Sequence, residues 1–379
     1  MKYIKIPPNY LFPADSDALE FPFSLLISFI FLVFFCMLLL DMVPYVKKRK
    51  PERRASDYNP KTLVIVPCRG LDLTLSENLK SIASQNYPNY NVVAVVDAKG
   101  DPAAECIRKS NIRYIISRYR QGPPSGKVLA ILSALKKFPR YDAYVIADSD
   151  ILVVKGWLKA LVAPLHDRKI GISTTFPKFI PRAGFWSKVK FVWGFAGEGL
   201  MENSSTRFGW GGSLAFRKDL IGSDAMKLLK NSKYSLSDDI SLTKAARGRG
   251  LDIAYVGSVQ PRVNSADSFR AFFEWSNRQT ALSILGYPRN LYYGIAFYSA
   301  EIILLASGAI LSYAINPAFL ILLAHLIKSE IKTYMRSGRA DPKIAMIVLF
   351  MPLLYLINLV LASRASRITW RGRSYELNR

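Results

Sequence analysis

Hydrophobic positions along this chain fall into distinct regimes. Residues 21–40 form an apolar run without a charge, and at about 1.5 Å rise per residue it spans about 30 Å, the thickness of a bilayer core. A membrane helix is predicted there. The run is long for a cleaved signal peptide and no small-residue cleavage site follows it, so a retained anchor is expected. From Lys61 the pattern changes to short apolar strands alternating with amphipathic helices. Residues 63–67, 92–96, 113–116 and 143–147 read as strands. Leu75, Leu79, Ile82 and Ala83 give a helical stripe that stops before the turn Asn86-Tyr87-Pro88-Asn89. After a break at residues 122–126, Val128, Ile131, Leu132 and Leu135 mark a helix opened by Lys127, and Leu158, Leu161, Val162 and Leu165 mark another. Elements in this order imply an α/β fold with a mostly parallel sheet.

After Gly171 the texture changes. Trp186, Phe191, Trp193 and Phe195 interleave with Lys188 and Lys190, which suits a helix at a membrane interface and ordinary core aromatics equally. Trp210-Gly211-Gly212-Ser213 offers close backbone approach beside an aromatic platform, Ser237-Asp238-Asp239 precedes a short helix ending near Gly250, and residues 253–256 supply another strand. Residues 291–315 predict a second membrane span. Asn316-Pro317 then turns the chain into a third segment reaching about Tyr334, and residues 344–362, interrupted by Pro352, form a fourth apolar stretch.

Lys47, Lys48, Arg49, Lys50, Arg53 and Arg54 follow the first helix and Asp15, Asp17 and Glu20 precede it, so the positive-inside rule puts the polar middle in the cytoplasm. The tail, with Arg364, Arg367, Arg371, Arg373 and Arg379, should also be cytosolic. Four full spans would put it outside, so one C-terminal segment is expected to be re-entrant or interfacial. The expected organisation of this multi-pass integral membrane protein is an anchor and basic linker at 1–60, a cytosolic catalytic domain at 61–289, and membrane helices with a basic tail at 290–379.

The formal charge of +24 invites a nucleic-acid reading, but the basic residues are spread along the chain and flank membrane segments, where anionic headgroups attract them. No zinc-ligand spacing or RNA-recognition signature accompanies them, so no nucleic-acid partner is expected. Cys36, Cys68 and Cys106 form no paired framework, which fits a reducing compartment. With His166 and His325 as the chain's histidines, a histidine metal site or a Ser-His-Asp triad is nearly excluded.

Candidate chemistry centres on Asp148-Ser149-Asp150, which closes strand 143–147. Carboxylates at a strand end point into the crevice where α/β sheets bind ligands. Their hard oxygens suit Mg²⁺ or Mn²⁺, and such a cation suits a diphosphate. Asp97 and the pair Asp238-Asp239 add further acidic stations at strand ends or loops. A nucleotide-sugar transferase needs such a set: one carboxylate for the base or ribose, one for the cation, one to take the acceptor's proton.

Pro67-Cys68-Arg69-Gly70, Gln85-Asn86-Tyr87-Pro88, the stretch 97–102, Asp-Ser-Asp at 148–150, Trp-Gly-Gly-Ser at 210–213, Ser-Asp-Asp at 237–239 and Trp370-Arg371-Gly372-Arg373-Ser374-Tyr375 together resemble family 2 glycosyltransferases of the ceramide glucosyltransferase-like branch. The resemblance implies a GT-A fold (nucleotide-diphospho-sugar transferase type), a nucleotide-sugar donor, most often a UDP-sugar, a divalent cation and inversion at the anomeric carbon. By its motifs Asp97 would contact the base, Pro67, Arg69, Lys127 and Asp148 would lie at the donor, Asp150 would bind the metal, and Asp239 would be the general base. A helix cap is the structural alternative for Asp239. Trp210, Gly211, Gly212, Asp238 and Trp275 would contact acceptor or phosphate. One departure stands out: the family's Gln-x-x-Arg-Trp arginine is Glu274 here, and Arg278 and Gln279, one helical turn beyond Trp275, would have to supply its donors.

The expected activity is transfer of a sugar from a nucleotide-diphosphate donor to a membrane lipid hydroxyl. A polyprenyl-phosphate acceptor is the alternative, and a polysaccharide synthase is disfavoured by Glu274. A non-catalytic nucleotide-sugar binder would be expected to have lost an acidic station, and all are present.

Overall fold

The run Thr62–Cys68 becomes β1 with nearly every side chain buried, as a β-branched segment covered on both faces should. The computed structural model describes residues 16–46, 58–118, 124–222, 229, 234–338 and 340–377. The basic run 47–54, Asp15, Arg379 and residues 122 and 123 of the predicted break lie outside these, as do the side chains of Asp17 and Glu20.

β2 (Tyr90–Val96) and β3 (Arg113–Ile116) continue from β1 on one side; β4 (Ala143–Ala147), β8 (Ser213–Arg217), β6 (Ile170–Thr174) and β9 (Asp252–Tyr255) extend the sheet on the other, in the order β3-β2-β1-β4-β8-β6-β9. All pairings are parallel except those of β8, which runs antiparallel to both neighbours. A second sheet joins β5 (Ile151–Leu152), β10 (Arg262–Ser265) and β7 (Lys178–Pro181).

Alternate strand residues face opposite layers, following the pleat. Val64, Val66 and Cys68 pack with α2 (Leu75–Ala83), α3 (Ala103–Lys109) and α5 (Trp157–Val162), through Leu79, Ile82, Ile107 and Leu161. Leu63 and Ile65 meet Val128, Ile131 and Leu135 of α4 (Gly126–Lys137) and Leu242 of α7 (Asp238–Gly248). Trp157 is fully buried and donates from Nε1 to Ser213 Oγ at 2.8 Å, tying a helix to β8 across the layers.

The helix predicted at 21–40 lies within α1 (Ser16–Val46). Ile30, Phe34 and Met37 of its described stretch pack on Leu304 of α9 (Arg289–Ala314) and on Leu322. A 3₁₀ turn, Pro317–Leu323, folds back on α9 so closely that a Cβ on Gly308 would stand 2.9 Å from Leu323 Cδ2, and α10 (Ala324–Ser337) follows it. α6 (Phe185–Glu202), α8 (Phe269–Gly286) and α11 (Pro342–Arg364) join through Val189, Val192, Phe272, Ile347 and Met351. The aromatics of α6 are thus partly buried against α8 and α11. Among the described residues, α9 and α11 are long and apolar enough to cross a membrane, and 23–39 forms a shorter apolar stretch.

Candidate active site

The sheet opens where its order reverses. The chain leaves β1 outward through β2 and β3 and then returns to β4 on the other side, the arrangement that creates a ligand crevice at strand carboxyl ends. β1 and β4 stay paired only as far as Ile65 and Ile146, so Pro67, which has no N–H to donate, falls where the strands have parted. Asp97 follows β2 and Asp148 follows β4, one on each side of this gap. Ser149 anchors the acidic triplet, its hydroxyl donating to Asp72 Oδ2 at 2.5 Å and its carbonyl accepting from Asn78 Nδ2 at 3.0 Å. Arg69 Nη1 lies 3.1 Å from Asp97 Oδ2.

Ser125 caps α4, and Lys127 in its first turn reaches across the sheet edge. Its Nζ lies 2.7 Å from Asp148 Oδ1, 3.4 Å from Asp238 Oδ1 and 3.1 Å from the Gly211 carbonyl, with the side chain 9% exposed. Burial disfavours the ammonium, yet Asp148 and Asp238 outweigh it and hold Lys127 above its ordinary range. The glycine motif serves this cluster: a side chain on Gly211 would run into Asp238 and one on Gly212 into the Trp210 ring. Trp210 therefore faces the cavity, whereas Gly211, Gly212 and Asp238 stand behind its wall.

Ser237 is the N-cap of α7, its Oγ accepting from Ile240 N at 3.4 Å. The cap position considered for Asp239 is thus filled by its neighbour. Asp239 lies in the first turn, where Oδ1 accepts from Ile240 N at 2.7 Å and from the Ser237 hydroxyl, and it lines the cavity. Burial, and then Asp238, push its carboxyl up to about 7.

Asp150 is likewise pushed up to about 7, by burial and then by Asp148 and Asp72. Its buried Oδ1 has no hydrogen-bond partner. A buried carboxylate oxygen without a donor is costly unless a cation meets it, so the residues fit a hard divalent ion. Among the described residues no group of at least three His, Cys, Asp or Glu forms a closed metal cage. Few protein carboxylates, with diphosphate oxygens and water for the rest, is how Mg²⁺ is ordinarily held.

Trp275, Arg278 and Gln279 on α8 face the same cavity. Trp275 meets Phe179 and Trp193 edge-on at 5.1 and 4.8 Å. Arg278 stacks 5.5 Å from the Trp370 ring and is lowered to about 10 by burial and then by Arg371. Glu274 also lines the cavity, at its open side, where it pairs with the exposed Arg270 at 2.8 Å.

Trp370, Arg371 and Tyr375, to which the motifs alone give no role, line the cavity as well. They belong to a hairpin of β11 (Arg367–Trp370) and β12 (Arg373–Glu376). The motif at 370–375 belongs to the resemblance, but its partner loops lie far away in sequence. The cavity that these residues share measures about 1490 Å³ and runs from Pro67 and Asp97 to Met37, Phe297 and Leu359 on the apolar helices.

Comparison with a solved structure supports the fold. The mannosyltransferase PcManGT from Pyrobaculum calidifontis, in complex with GDP-Man and Mn²⁺, superposes with a TM-score of 0.56 at 19% identity, over 88% of this chain and 96% of that one. Glucosyl-3-phosphoglycerate synthase from Mycobacterium tuberculosis, in complex with phosphoglyceric acid, gives a TM-score of 0.40 at 15% identity, over 60% and 80% of the two chains. The expected α/β architecture of the GT-A type is borne out. The sequence model of the family described as glycosyl transferase family 21 matches residues 25–379, and the chain belongs to that family and is a glycosyltransferase.

Proposed function

We propose that this glycosyltransferase moves a sugar, with inversion, from a nucleotide-diphosphate donor, expected to be a UDP-sugar, to a lipid hydroxyl at the cytoplasmic membrane face. The observation that carries the lipid acceptor is the continuity of the cavity. Drug-sized ligands occupy about 300–1,000 Å³; this cavity of about 1490 Å³ joins the acidic sheet edge to side chains of α1, α9 and α11. A donor at one end leaves an apolar approach for a lipid at the other.

In this reading Asp97, with Arg69, holds the nucleoside, and Asp150, with Asp148 beside it, holds Mg²⁺ or Mn²⁺. The bound cation would neutralise charge on the departing diphosphate. Asp239 accepts the acceptor's hydroxyl proton as the oxygen attacks the anomeric carbon and the bond to diphosphate breaks. Lys127 fixes Asp148 and Asp238 at one spacing, and the wall of Trp210 and Trp275 excludes water. The Mn²⁺ and GDP-Man in the PcManGT structure support a cation-dependent nucleotide-sugar site on this fold.

Membranes containing the protein, incubated with radiolabelled UDP- and GDP-sugars, should yield a labelled lipid whose linkage resists mild acid. Excess chelator should stop its formation, and added Mn²⁺ or Mg²⁺ should restore it. A mild-acid-labile product would identify a sugar phosphate and favour the polyprenyl-phosphate acceptor, and a labelled polymer would favour a synthase.

The division expected at 61–289 remains our reading of the catalytic unit, with one refinement of the membrane segments. The α10–α11 connection is tied to α6 at both ends: Arg336 reaches Glu202 at 3.4 Å, and Asp341 pairs with Lys188 at 2.8 Å. Farther along α11, Asn358 Nδ2 donates to Asn277 Oδ1 at 2.8 Å, and Asn358 Oδ1 accepts from Trp193 Nε1 at 3.1 Å. We infer that α1 and α9 cross the bilayer, that residues 317–337 return, and that α11 lies along the catalytic unit in the membrane plane. In a cysteine-free background, Lys99→Cys and Lys343→Cys should both be shielded from an impermeant thiol reagent in right-side-out vesicles and both react after permeabilisation. Labelling of Lys343→Cys alone from outside would make α11 a span.

A further inference from the structure

We propose that the C-terminal hairpin β11–β12 is a strap across the donor site, and that Arg371 at its tip binds the diphosphate of the nucleotide donor. The inference rests on the nucleotide-donor reading above and adds a residue group from the opposite end of the chain.

The hairpin turns through Arg371 and Gly372, at φ 48° and 73°, between the paired residues Trp370 and Arg373. Positive φ at both central positions is the two-residue turn that matches strand twist, and it ordinarily takes Asn, Asp or Gly at the first. Arginine there is uncommon. The turn puts a long cationic side chain at the tip. Arg371 Nη1 donates to the Arg69 carbonyl at 2.6 Å across 302 residues of chain, and Nη2 reaches Asp72 at 2.5 Å. Behind the tip, Arg373 Nη2 pairs with Asp97 at 3.1 Å, and Gly126 N donates to the Tyr375 hydroxyl at 3.1 Å. The strap is thus fastened to the loops after β1 and β2 and to the start of α4, all on the rim of the crevice.

A diphosphate needs cations, and the lysines beside the acidic stations are committed: Lys190, which also lines the cavity, pairs with Asp267 at 3.2 Å. Lys127 serves Asp148 and Asp238, and Arg69 serves Asp97. Arg371 lines the cavity and uses two nitrogens on protein acceptors, which leaves donors of its guanidinium for a ligand. Arg278 lines the same cavity and faces the Trp370 ring. A guanidinium held at fixed orientation by Asp72 and a backbone carbonyl can give phosphate oxygens paired hydrogen bonds without first being ordered. Arg373 and Tyr375 pin the strap and act through Arg371.

The test uses the full chain in detergent with Mn²⁺ and measures binding of UDP, GDP, uridine and guanosine. Arg371→Ala should weaken the preferred nucleoside diphosphate by about 10- to 100-fold, the usual worth of charge-assisted hydrogen bonds. Binding of the matching nucleoside should change less than about twofold. Arg371→Lys, which keeps the charge, should recover part of the loss, and the donor KM should rise more than kcat falls. Equal losses for nucleotide and nucleoside, or no loss, would reduce the hairpin to a structural cap and leave the donor reading standing. A parent protein that binds neither UDP nor GDP would overturn both.

Discussion

Asp239→Asn should lower sugar transfer by about 10²- to 10⁴-fold, the contribution of a positioned general base, while nucleoside diphosphate binding stays near the parent value. An alcohol is a weak nucleophile at neutral pH, and asparagine keeps the size of aspartate but cannot take its proton. The Ser237 cap of α7 remains in this variant, so the fold should survive, which thermal unfolding will check. The parent's rate should also depend on pH with a definite sign. The carboxyl is pushed up to about 7 by burial and by Asp238, and only its ionised form accepts a proton. At saturating Mn²⁺, which would keep Asp150 ionised, transfer should therefore hold above that value and fall as pH drops through it, and Asp239→Asn should lack this limb. Parent-like transfer in the variant would move the base elsewhere. Asp238 is a poor substitute, because it is 4% exposed and committed to Lys127.

Asp150→Ala should abolish cation-dependent nucleotide binding and turnover together. Partners one shell out from a metal typically cost 10- to 100-fold when removed, and a direct ligand should exceed about 10²-fold. Isothermal titration of UDP or GDP with and without Mn²⁺ reads the effect. The parent's binding should strengthen on adding Mn²⁺, and the variant's should not. Asp150→Asn should in addition melt higher than the parent without cation at neutral pH, because it removes a buried charge whose Oδ1 has no partner. Undiminished Mn²⁺-dependent binding would make the triplet a structural turn.

Much of this site was legible because its parts are local. A β-branched run followed by Asp marks a strand end, and both Asp97 and Asp148 sit one residue beyond a strand. Less legible was β8, a fully buried strand with no alternation, which follows glycines that read as a loop. The glycines themselves illustrate the difficulty: the close approach expected at Gly211 is real, but it is made to Lys127 and Asp238 behind the cavity wall. Residue type told that something small was needed there and could not tell what comes near.

The α/β order, the acidic stations and the apolar segments are legible in the residues alone, because strand alternation, helical periodicity and strand-end placement are properties of neighbouring residues. Tertiary structure decided how these were used. It turned Asp239 toward the cavity and Asp238 toward Lys127, although the two are adjacent in the chain, since side-chain direction at a helix start depends on what packs around it. It laid α11 against α6 and α8, because hydropathy counts apolar residues without saying whether they meet lipid or protein. It also brought Arg371 to Arg69 across 302 residues, a contact of long-range packing that no local periodicity encodes.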